Sequence, residues 1–550
     1  MSDAVRTVFG IDLGTTYSVV ARVDETGRPA IVRNGEGEEI TPSVVHLESA
    51  TNVVVGNQAK QLAKIEPDQV VSLVKRQMGT DTVYAFHGTE HSPESLSALI
   101  LKQLAGGAES DDPVTDVVIS VPAYFGMRER DATRKAGEIA GLTVLGIVPE
   151  PVAAAVHYEM SQDANGRTIL VYDLGGGTFD TTVISVGDNE IEVICTDGDK
   201  YLGGADWDAR LAEHLLNRFV EQAGPDEDVH ASDEAVQEVA LRAEEVKKAL
   251  SKYESRAVSL KLAGVAARFE VTRAEFEAMT EDLLETTVTI VRRTLGTLGT
   301  KRPGATIDEV LLVGGSTKMP AVAARLAEEF GWTPKLFEPD LAVAKGAAIW
   351  ALSQLVVREE EKARSGAAST SEAESDADAA RARIAARTGL PEATLARLAR
   401  KRTRNVLSKA FGVRLIDESS GARRPYVEHL AFANDVLPTG DRPLEAQTID
   451  DGQTGVQIEL YEQAGTVPSA DLADNIPISG GAGSIDGIPA RPAGAPIDIL
   501  LRIDDEGLLS VRATHRESGK RLEIAVTIGA LTPEEVDEAT RVVDAIAVSG

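Results

Sequence analysis

One short pattern occurs twice in this chain: an apolar strand, an Asp-Leu-Gly turn that carries threonine, and a second apolar strand. The first copy spans residues 7–21 and the second spans residues 169–184. Glycine turns can present consecutive backbone N–H groups to a phosphate, and the aspartate that ends the first strand can hold Mg²⁺ through water. One copy is weak evidence, because glycine turns occur in every fold class. Two copies in separate halves of the chain predict a clamp around a nucleoside triphosphate.

The bulk composition limits the class of protein. A chain of 550 residues is too long for one core and suggests about two to four domains. No apolar run approaches the roughly 18–20 residues that span a bilayer, so we expect no membrane partner. The single cysteine, Cys195, cannot form an internal disulfide, which favours a reducing, cytoplasmic location. The eight histidines show no metal-ligand spacing, and a net charge of −31 argues against nucleic-acid binding.

The element pattern divides most of the chain into two domains. Residues 1–355 alternate short apolar strands with helical stretches, which is typical of an α/β domain. Residues 405–529 show the two-residue alternation of half-buried strands and predict an antiparallel β-sandwich. A capping box at Thr532 begins one short helix within residues 530–550.

The region between the two domains, residues 356–404, is predicted to be an acidic and then basic linker. From Glu359 to Ala380 it is rich in Ala, Ser, Glu and Asp without hydrophobic periodicity, which predicts a flexible segment. From Arg381 to Arg404 it becomes basic and helix-prone, with a small apolar stripe at Leu395 and Leu398. We expect a solvated helix that spaces the domains. A site for nucleic acid or an acidic partner is the less favoured alternative.

A third glycine element follows the apolar strand Val310–Val313 as Gly314-Gly315-Ser316-Thr317. Alone it would be interpreted as a tight strand–helix turn. After two Asp-Leu-Gly hairpins, it predicts the adenosine end of the same nucleotide site.

Taken in order, these motifs resemble those of the 70-kDa heat-shock (DnaK-type) chaperones within the actin-like ATPase superfamily. The resemblance covers residues 7–355 strongly and residues 405–530 more weakly. The motifs are Ile11–Ser18, Val121–Phe125, Asp173–Asp180 and Val313–Thr317.

The resemblance implies a fold and an activity. The fold is an α/β actin-like ATPase domain of duplicated ribonuclease-H-like halves, followed by a polypeptide-binding antiparallel β-sandwich. The activity is ATP hydrolysis coupled to polypeptide binding, with ATP, ADP and Mg²⁺ as cofactors and K⁺ as a further candidate. The implied partners are unfolded or extended client polypeptides, with a J-domain co-chaperone and a nucleotide exchange factor as further candidates.

The catalytic residues are also implied by the resemblance. Lys75 matches the lysine that positions the attacking water and stabilises charge on the γ-phosphate, and Glu150 matches the carboxylate of the catalytic site. Asp12 and Asp173 match the residues that support Mg²⁺, through water, and are counted with Thr178 as catalytic. Without the family context, Lys75 would be interpreted as a solvated surface lysine.

Further matches concern nucleotide binding and communication between domains. Pro122 and Arg130 match the residues through which the family reports nucleotide state to its second domain. Lys248 and Lys318 replace two arginines that stack on adenine in vertebrate members, so we expect weaker stacking. The matched nucleotide contacts are Gly14, Thr15, Thr16, Gly175, Gly176 and Gly177 at the phosphates, and Glu244, Lys247, Lys248, Ser251, Gly314, Gly315, Ser316, Lys318 and Asp340 toward the adenosine.

The second domain matches the family less completely. Phe411, Val413, Val456, Ile458 and Ile497 fall where the family lines its peptide pocket, although alternating apolar residues in a sandwich are more usually core. The family linker is rich in leucine, whereas residues 397–404 are basic and are not expected to dock as an apolar strand. The helical lid is expected to be missing, with the helix within residues 530–550 as its remnant.

Three functions are consistent with these features. The preferred one is an ATP-hydrolysing chaperone that binds exposed apolar segments of unfolded polypeptides. The alternative is a slow or non-catalytic nucleotide-dependent scaffold with a regulatory role, which the altered linker and absent lid favour. The least favoured is a small-molecule kinase, because no pocket for a phosphate acceptor is evident in the β-domain. Stimulation of hydrolysis by unfolded peptide rather than by a sugar would discriminate among them.

Overall fold

The fold is described from a computed structural model of the chain. The structure describes residues 6–162, 164–225, 228–365, 370–418, 421–465, 467–504, 507–527, 529 and 531–550. No helix in these ranges is long and apolar enough to cross a membrane.

The first half of the α/β domain is built on a sheet of order β11-β10-β1-β2-β3, with β4 pairing to β2. Its strands are β1 (Val8–Asp12), β2 (Tyr17–Val23), β3 (Pro29–Val32), β4 (Thr41–Pro42), β5 (Val45–Leu47), β6 (Asn52–Val55), β7 (Val70–Val71), β8 (Tyr84–Phe86), β9 (Thr89–His91), β10 (Asp116–Val121) and β11 (Thr143–Pro149). Its helices are α1 (Asn57–Leu62), α2 (Pro93–Gly106), α3 (Met127–Ile139) and α4 (Glu150–Ser161).

The second half repeats the arrangement with a sheet of order β18-β17-β12-β13-β14-β19. Its strands are β12 (Thr168–Leu174), β13 (Phe179–Val186), β14 (Glu190–Asp199), β15 (Ser255–Leu262), β16 (Val265–Thr272), β17 (Glu309–Val313), β18 (Lys335–Leu336) and β19 (Arg402–Arg404). Its helices are α5 (Gly204–Ala223), α6 (Asp233–Leu250), α7 (Arg273–Met279), α8 (Glu281–Lys301), α9 (Pro320–Phe330) and α10 (Ala342–Ser365).

Strand pairing reveals the duplication that the repeated motif predicts. In each half the strand that ends in aspartate pairs antiparallel with the next strand in sequence and parallel with a later one. The pairs are β1 with β2 and β10, and β12 with β13 and β17. Because β1 and β12 have the same orientation relative to their neighbouring strands, Asp12 and Asp173 occupy equivalent positions at the carboxyl ends of these two strands.

The prediction of a flexible linker is wrong for the part of Glu359–Ala380 that the structure describes. Residues 366–369 lie outside the described residues. Helix α10 continues to Ser365, and a further helix, α11 (Thr370–Thr388), packs back on it. Buried Glu360 on α10 forms ion pairs with Arg364 and with Arg381 on α11. Small alanines of α11, together with Ile384, are fully buried against α10. An alanine-rich helix can pack closely, so the segment is helical without an obvious apolar stripe.

The basic part of the linker also departs from expectation. Helix α12 (Glu392–Arg400) buries Leu395 and Leu398, as the apolar stripe predicted, and is followed by β19. Strand β19 pairs in parallel with the edge strand β14, with Arg402 opposite Glu190. The segment therefore does dock as a strand, although not an apolar one. Backbone hydrogen bonding requires no particular side chain, and Glu190 supplies opposite charge near Arg404 at 3.7 Å.

The second domain is an antiparallel β-sandwich, as predicted. One sheet has the order β21-β20-β23-β24 and the other β22-β25-β26-β27. The strands are β20 (Phe411–Asp417), β21 (Arg424–Ala431), β22 (Arg442–Gln447), β23 (Gly455–Gln463), β24 (Asn475–Asp486), β25 (Pro496–Ile503), β26 (Leu508–His515) and β27 (Arg521–Thr527).

After the sandwich the chain returns to the α/β domain. Thr532 caps helix α13 (Pro533–Asp544) through a capping box, as the sequence predicted. A short strand, β28 (Ala547–Ser549), then pairs in parallel with β6. The sequence analysis did not anticipate this strand.

Candidate nucleotide site

Three aspartates lie close together, with Asp12 and Asp173 at the carboxyl ends of β1 and β12 and Asp180 at the amino end of β13. Ser120 on β10 donates a hydrogen bond of 2.8 Å to Asp12 Oδ1 at the end of β1. In the other half, Asp173 is 6% exposed and lies directly opposite Asp180 in the β12–β13 register. The two sheets therefore bring the sequence-predicted Asp12 and Asp173 to one buried site, where Asp180 joins them.

Lys75 and Glu150 form a buried ion pair beside these aspartates, with 2.6 Å between Nζ and Oε1. Glu150 is the first residue of α4, and Lys75 lies in a short 3-10 helix, Val74–Gln77. Leu73, just before that helix, has a left-handed backbone with φ of 57°. A bulky residue adopts this conformation only where its surroundings enforce it, and such strain is often found at functional sites. Lys75 is 4% exposed, so its interpretation as a solvated surface lysine is wrong.

The site has more acidic than basic side chains. Burial raises the pKa of Asp12 to about 7, Glu150 adds to the rise, and Lys75 and the Ser120 hydrogen bond oppose it. Burial, reinforced by Glu150, also raises the pKa values of Asp173 and Asp180 well above their ordinary range. Four carboxyl groups thus share the site with the ammonium group of Lys75. Such an excess suits a bound divalent cation.

The donor set fits Mg²⁺ held through water. Within the described ranges no group of three or more His, Cys, Asp or Glu side chains is arranged to hold a metal directly. Mg²⁺ usually keeps several of its waters and takes only one or two carboxylates from a protein. Asp12 and Asp173 are the two residues that could support such a hydrated ion.

The two glycine turns that are predicted to bind phosphate face each other at close range. A Cβ atom added to Gly177 would lie 2.2 Å from Thr15 Cγ2, and one added to Gly176 would lie 1.9 Å from Thr16 Oγ1. Only glycine permits this approach. Thr178 follows as a buried residue whose carbonyl accepts a hydrogen bond of 3.0 Å from the N–H of Gly175. The first turn is fixed at Gly14, whose carbonyl accepts from Ser43 Oγ at 2.8 Å. The structure therefore brings the predicted phosphate contacts of both halves together.

The third glycine element contacts the second phosphate turn. Gly314 has φ of 82°, a conformation that favours glycine, and a Cβ there would lie 2.4 Å from the carbonyl oxygen of Leu174. Ser316 Oγ donates to the carbonyl of Gly175 at 2.9 Å. Exposed Gly315 lies next to Asp340, and Asp340 forms an ion pair with Lys318.

Helix α6 supplies the remaining predicted adenosine contacts. Lys247 Nζ donates to the carbonyl of Gly204 at 2.8 Å and to Asp208 at 2.6 Å, so α6 is fixed to the start of α5. Ser251 Oγ donates to the carbonyl of Lys247 at 3.0 Å. Ser251 also lines a cavity of about 560 Å³ between α5, α7, α8 and α9. Ser251, one turn after Lys247 at the end of α6, therefore lies beside this cavity.

Glu244 on α6 bridges the two halves of the α/β domain. It accepts a hydrogen bond of 2.6 Å from Tyr17 OH in the first half and forms ion pairs with Lys60 and Lys248. Burial opposes ionisation of Glu244, but the two lysines lower its pKa to about 2. Lys248 Nζ also lies 4.7 Å from the centroid of the Tyr17 ring. Lys248 and Lys318 are therefore both paired with carboxylates in this structure.

The sequence analysis missed two residues of the site. Asp180 was read as part of a motif but given no role; its position opposite Asp173 across the hairpin was the available signal. Arg76 carried no signal of its own. Its Nε donates to the carbonyl of Gly177 at 2.8 Å, and its guanidinium forms an ion pair with Asp206 at 2.6 Å. Arg76 thus connects the segment that bears Lys75 with the second phosphate turn.

The segment at 122–125 connects the nucleotide site with the β-sandwich. Arg130 donates to the carbonyls of Ala123 at 3.1 Å and Phe125 at 2.9 Å, and its burial lowers its pKa to about 10. The carbonyl of Pro122 accepts from the N–H of Phe125 at 3.2 Å. Ser408 of the sandwich donates to the carbonyl of Phe125 at 3.0 Å. Pro122 and Arg130 therefore both shape the turn that the second domain contacts.

Two further contacts hold the sandwich against the α/β domain. Asn434 Oδ1, in the loop after β21, accepts from the N–H of Thr196 on β14 at 2.8 Å. Lys409 forms an ion pair of 3.4 Å with Glu129 on α3. The interface is therefore polar at these points.

The predicted peptide-binding residues lie mainly inside the sandwich. Four of the five side chains are buried, each at most 4% exposed, which supports their interpretation as part of the sandwich core. Val456 is partly buried and packs against the same core. The four are Phe411, Val413, Ile458 and Ile497. In this structure they are closed to a peptide.

Comparison with known proteins agrees with the geometry. The family model described as "Hsp70 protein" matches residues 8–359 and 421–548. The chain is similar to the chaperone protein DnaK of Thermotoga neapolitana, at 35% identity over 538 residues, which cover 96% of the chain and 81% of that relative. It is similar to the chaperone protein DnaK of Halobacterium salinarum at 35% identity over 544 residues, 96% of the chain and 77% of the relative.

Proposed function

Because this chain belongs to the Hsp70 protein family, we propose that it is a chaperone that hydrolyses ATP and binds exposed segments of unfolded polypeptides. The observation that carries the ATPase part is the buried Lys75–Glu150 pair. It lies where two phosphate turns and three aspartates converge. Hydrolysis of ATP requires mainly positioning and neutralisation of charge, and this arrangement supplies both.

In the proposed reaction, water attacks the γ-phosphorus, the bond to the bridging oxygen breaks, and ADP and phosphate leave. Lys75 orients the water and stabilises charge on the γ-phosphate, and Glu150 holds the ammonium group in place. Thr15, Thr16 and the backbone N–H groups of the glycine turns hold the phosphates, with Thr178 beside them. Bound Mg²⁺, supported by Asp12 and Asp173 through water, would supply neutralisation of phosphate charge.

The adenosine part of the proposal uses the side chains around α6 and β17. We propose that Glu244, Lys247 and Ser251 contact the adenosine, and that Lys248 and Lys318 flank the adenine. The glycine element after β17 would approach it from the other side, together with Asp340. Lysine lacks the planar guanidinium that stacks on a ring, so affinity for adenine would be modest. K⁺ is a further candidate cofactor.

The domain limits and partners complete the proposal. Residues 1–355 would form the nucleotide-binding ATPase domain, 356–404 the connection, 405–529 the polypeptide-binding domain and 530–550 a final short segment. Pro122 and Arg130 would transmit nucleotide state between the domains. Clients would be extended polypeptides, with a J-domain co-chaperone and a nucleotide exchange factor as helpers. The buried free thiol of Cys195 is compatible with a reducing, cytoplasmic location.

The test is Mg²⁺-dependent ATP hydrolysis by the full chain and by Lys75→Ala. Loss of this charge contact should lower turnover by about 100-fold or more while ATP still binds. Lys261→Ala, which changes an exposed lysine on β15, serves as the matched control and should hydrolyse at the parental rate. Parental turnover by Lys75→Ala would contradict the assignment.

One observation favours the second candidate, a nucleotide-dependent regulatory scaffold. Phe411, Val413, Ile458 and Ile497 are enclosed in the sandwich core, so a peptide could reach them only after the sheets rearrange. Hydrolysis assays with and without an unfolded apolar peptide separate the two functions. Stimulation by the peptide supports a chaperone. An unchanged rate together with no peptide binding supports the scaffold.

A further inference from the structure

The residues that follow the sandwich are integrated into the α/β domain. We call residues 531–550 the strap. Its strand β28 extends the small sheet of β5, β6 and β7, with Ala547 opposite Asn52. On its helix α13, Val543 is fully buried, and Ile546 just beyond is 3% exposed. Both belong to the same apolar core as Leu99 of α2. The strap is therefore part of the packing of the first half of the α/β domain.

A lysine of the α/β domain caps the strap helix. Lys102 on α2 donates to the carbonyl of Val543 at 2.8 Å and to that of Ile546 at 3.0 Å. The carbonyl of Val543 lies in the last turn of α13, where it also accepts from the N–H of Ile546, and the carbonyl of Ile546 lies just beyond the helix. A cation there interacts favourably with the negative end of the helix dipole. Lys135 on α3 binds the carbonyl of Leu531 at the other end of the strap.

The sandwich is consequently anchored at both of its ends. On the side that enters it, β19 pairs with β14 in the second half of the α/β domain. On the side that leaves it, the strap pairs with β6 and packs on α2 in the first half. Movement of the sandwich away from the α/β domain is therefore limited by two tethers unless one of these strand pairings breaks. A second tether also keeps the sandwich at an effective concentration on the order of millimolar after any single contact opens.

The direct interface between the domains combines polar contacts with the packing of Met127 of α3 against the sandwich core. Its contacts include Ser408 with Phe125, Asn434 with Thr196, and Lys409 with Glu129. A hydrogen bond typically contributes only about 0.5–1.5 kcal/mol net, and a buried ion pair such as Lys409–Glu129 must first offset the desolvation of both charges. The strap adds buried apolar side chains and strand pairing, which contribute more.

We propose that the strap holds the β-sandwich docked on the α/β domain whichever nucleotide is bound. This proposal adds to the proposed function a way in which the same two domains are regulated. It rests on the proposed ATPase function only for the measurement made with ATP. Hydrolysis would then alter the sandwich within the docked assembly rather than release it.

The test measures docking by fluorescence energy transfer in the full chain. Dyes are placed at Arg268→Cys on β16 and at Glu517→Cys in the turn after β26, both exposed positions, while the native Cys195 is buried. We expect one transfer efficiency without nucleotide, with ADP and with ATP. In Val543→Asp, the undocked fraction in ADP should rise at least about tenfold, the equivalent of 1.4 kcal/mol. The control Arg541→Ala changes an exposed residue of α13 and should match the parent.

A second variant keeps the test decisive if Val543→Asp unfolds the first half, which circular dichroism would reveal. Lys102→Met removes the cap on α13 and leaves the core intact, so it should also increase the undocked fraction. A parent chain that undocks in ADP would overturn the proposal, as would two folded variants that stay docked. The arms without nucleotide and with ADP require no hydrolysis. Failure of the ATPase assignment is therefore distinguishable from failure of the strap.

Discussion

Glu462 should make the stability of the docked chain depend on pH. Its carboxyl group, on β23, is 1% exposed, and neither oxygen has a hydrogen-bond partner among the described residues. It points across the interface: a Cβ atom on Gly126 would lie 2.8 Å from Glu462 Oε1. Burial raises the pKa of Glu462 to about 7; Lys409 and Arg128 oppose the rise and Glu129 adds to it. The docked state therefore favours the neutral carboxyl group.

The raised pKa of Glu462 determines how much the stability of the docked chain changes with pH, and in which direction. An exposed glutamate titrates near 4.5, and each pH unit between the two pKa values corresponds to about 1.4 kcal/mol. The raised pKa therefore gives the docked state a contribution of about 3 kcal/mol that is fully present below pH 4.5. That contribution is lost progressively as the pH rises through 7. Above pH 7, burial of the ionised carboxylate destabilises docking.

The variant Glu462→Gln has nearly the same shape and stays neutral at every pH. Urea denaturation between pH 5 and pH 8.5 should show that the parent loses stability with rising pH, whereas this dependence is much weaker in Glu462→Gln. Above pH 7 the variant should be more stable than the parent. Glu445→Gln changes an exposed glutamate of β22 and should keep the parental slope. Equal slopes in parent and Glu462→Gln, or a less stable variant at pH 8, would refute the reasoning.

Two further predictions concern the adenosine end of the site and the connection between the domains. Replacing Lys248 and Lys318 with arginine should tighten ATP binding by about 0.5–1 kcal/mol if one cation–π contact is gained; calorimetric titration that shows no gain would contradict this stacking geometry. Ile384→Ala removes a fully buried side chain of α11 and should destabilise the chain by about 2–4 kcal/mol in urea denaturation, whereas exposed Arg383→Ala should change it little.

Local motifs made the nucleotide site predictable. A strand that ends in Asp-Leu-Gly specifies its own turn, and the double glycine after β17 specifies another, so short stretches located most of the site. Lys75 and Glu150 lie 75 residues apart, and only the resemblance to a family paired them. Helix α9 has local signals at both ends, because Pro320 is its first residue and Gly331 follows its last.

The errors share one physical cause, which is that burial depends on partners distant in sequence. Helix α11 buries small alanines against α10, and no periodicity of large apolar residues reveals that. The edge of β14 accepts β19 through backbone groups, so a basic sequence docks as well as an apolar one. The peptide residues alternate as a pocket strand would, but alternation also describes one wall of a sandwich core. Here the opposite sheet covers Phe411 and Ile458.

A docked sandwich changes how the two sites could communicate. If the strap prevents release, hydrolysis can act on the sandwich only through contacts that persist in both nucleotide states. The turn at 122–125 is a candidate route: the N–H of Tyr124 donates to Asp180 at 3.3 Å, and the carbonyl of Phe125 accepts from Ser408. Asp180 shares the buried carboxylate cluster, so in the proposed function a charge change at the phosphates would reach the second domain through two hydrogen bonds. Arg130, bonded to both sides of this turn, would then set how rigidly the change is transmitted.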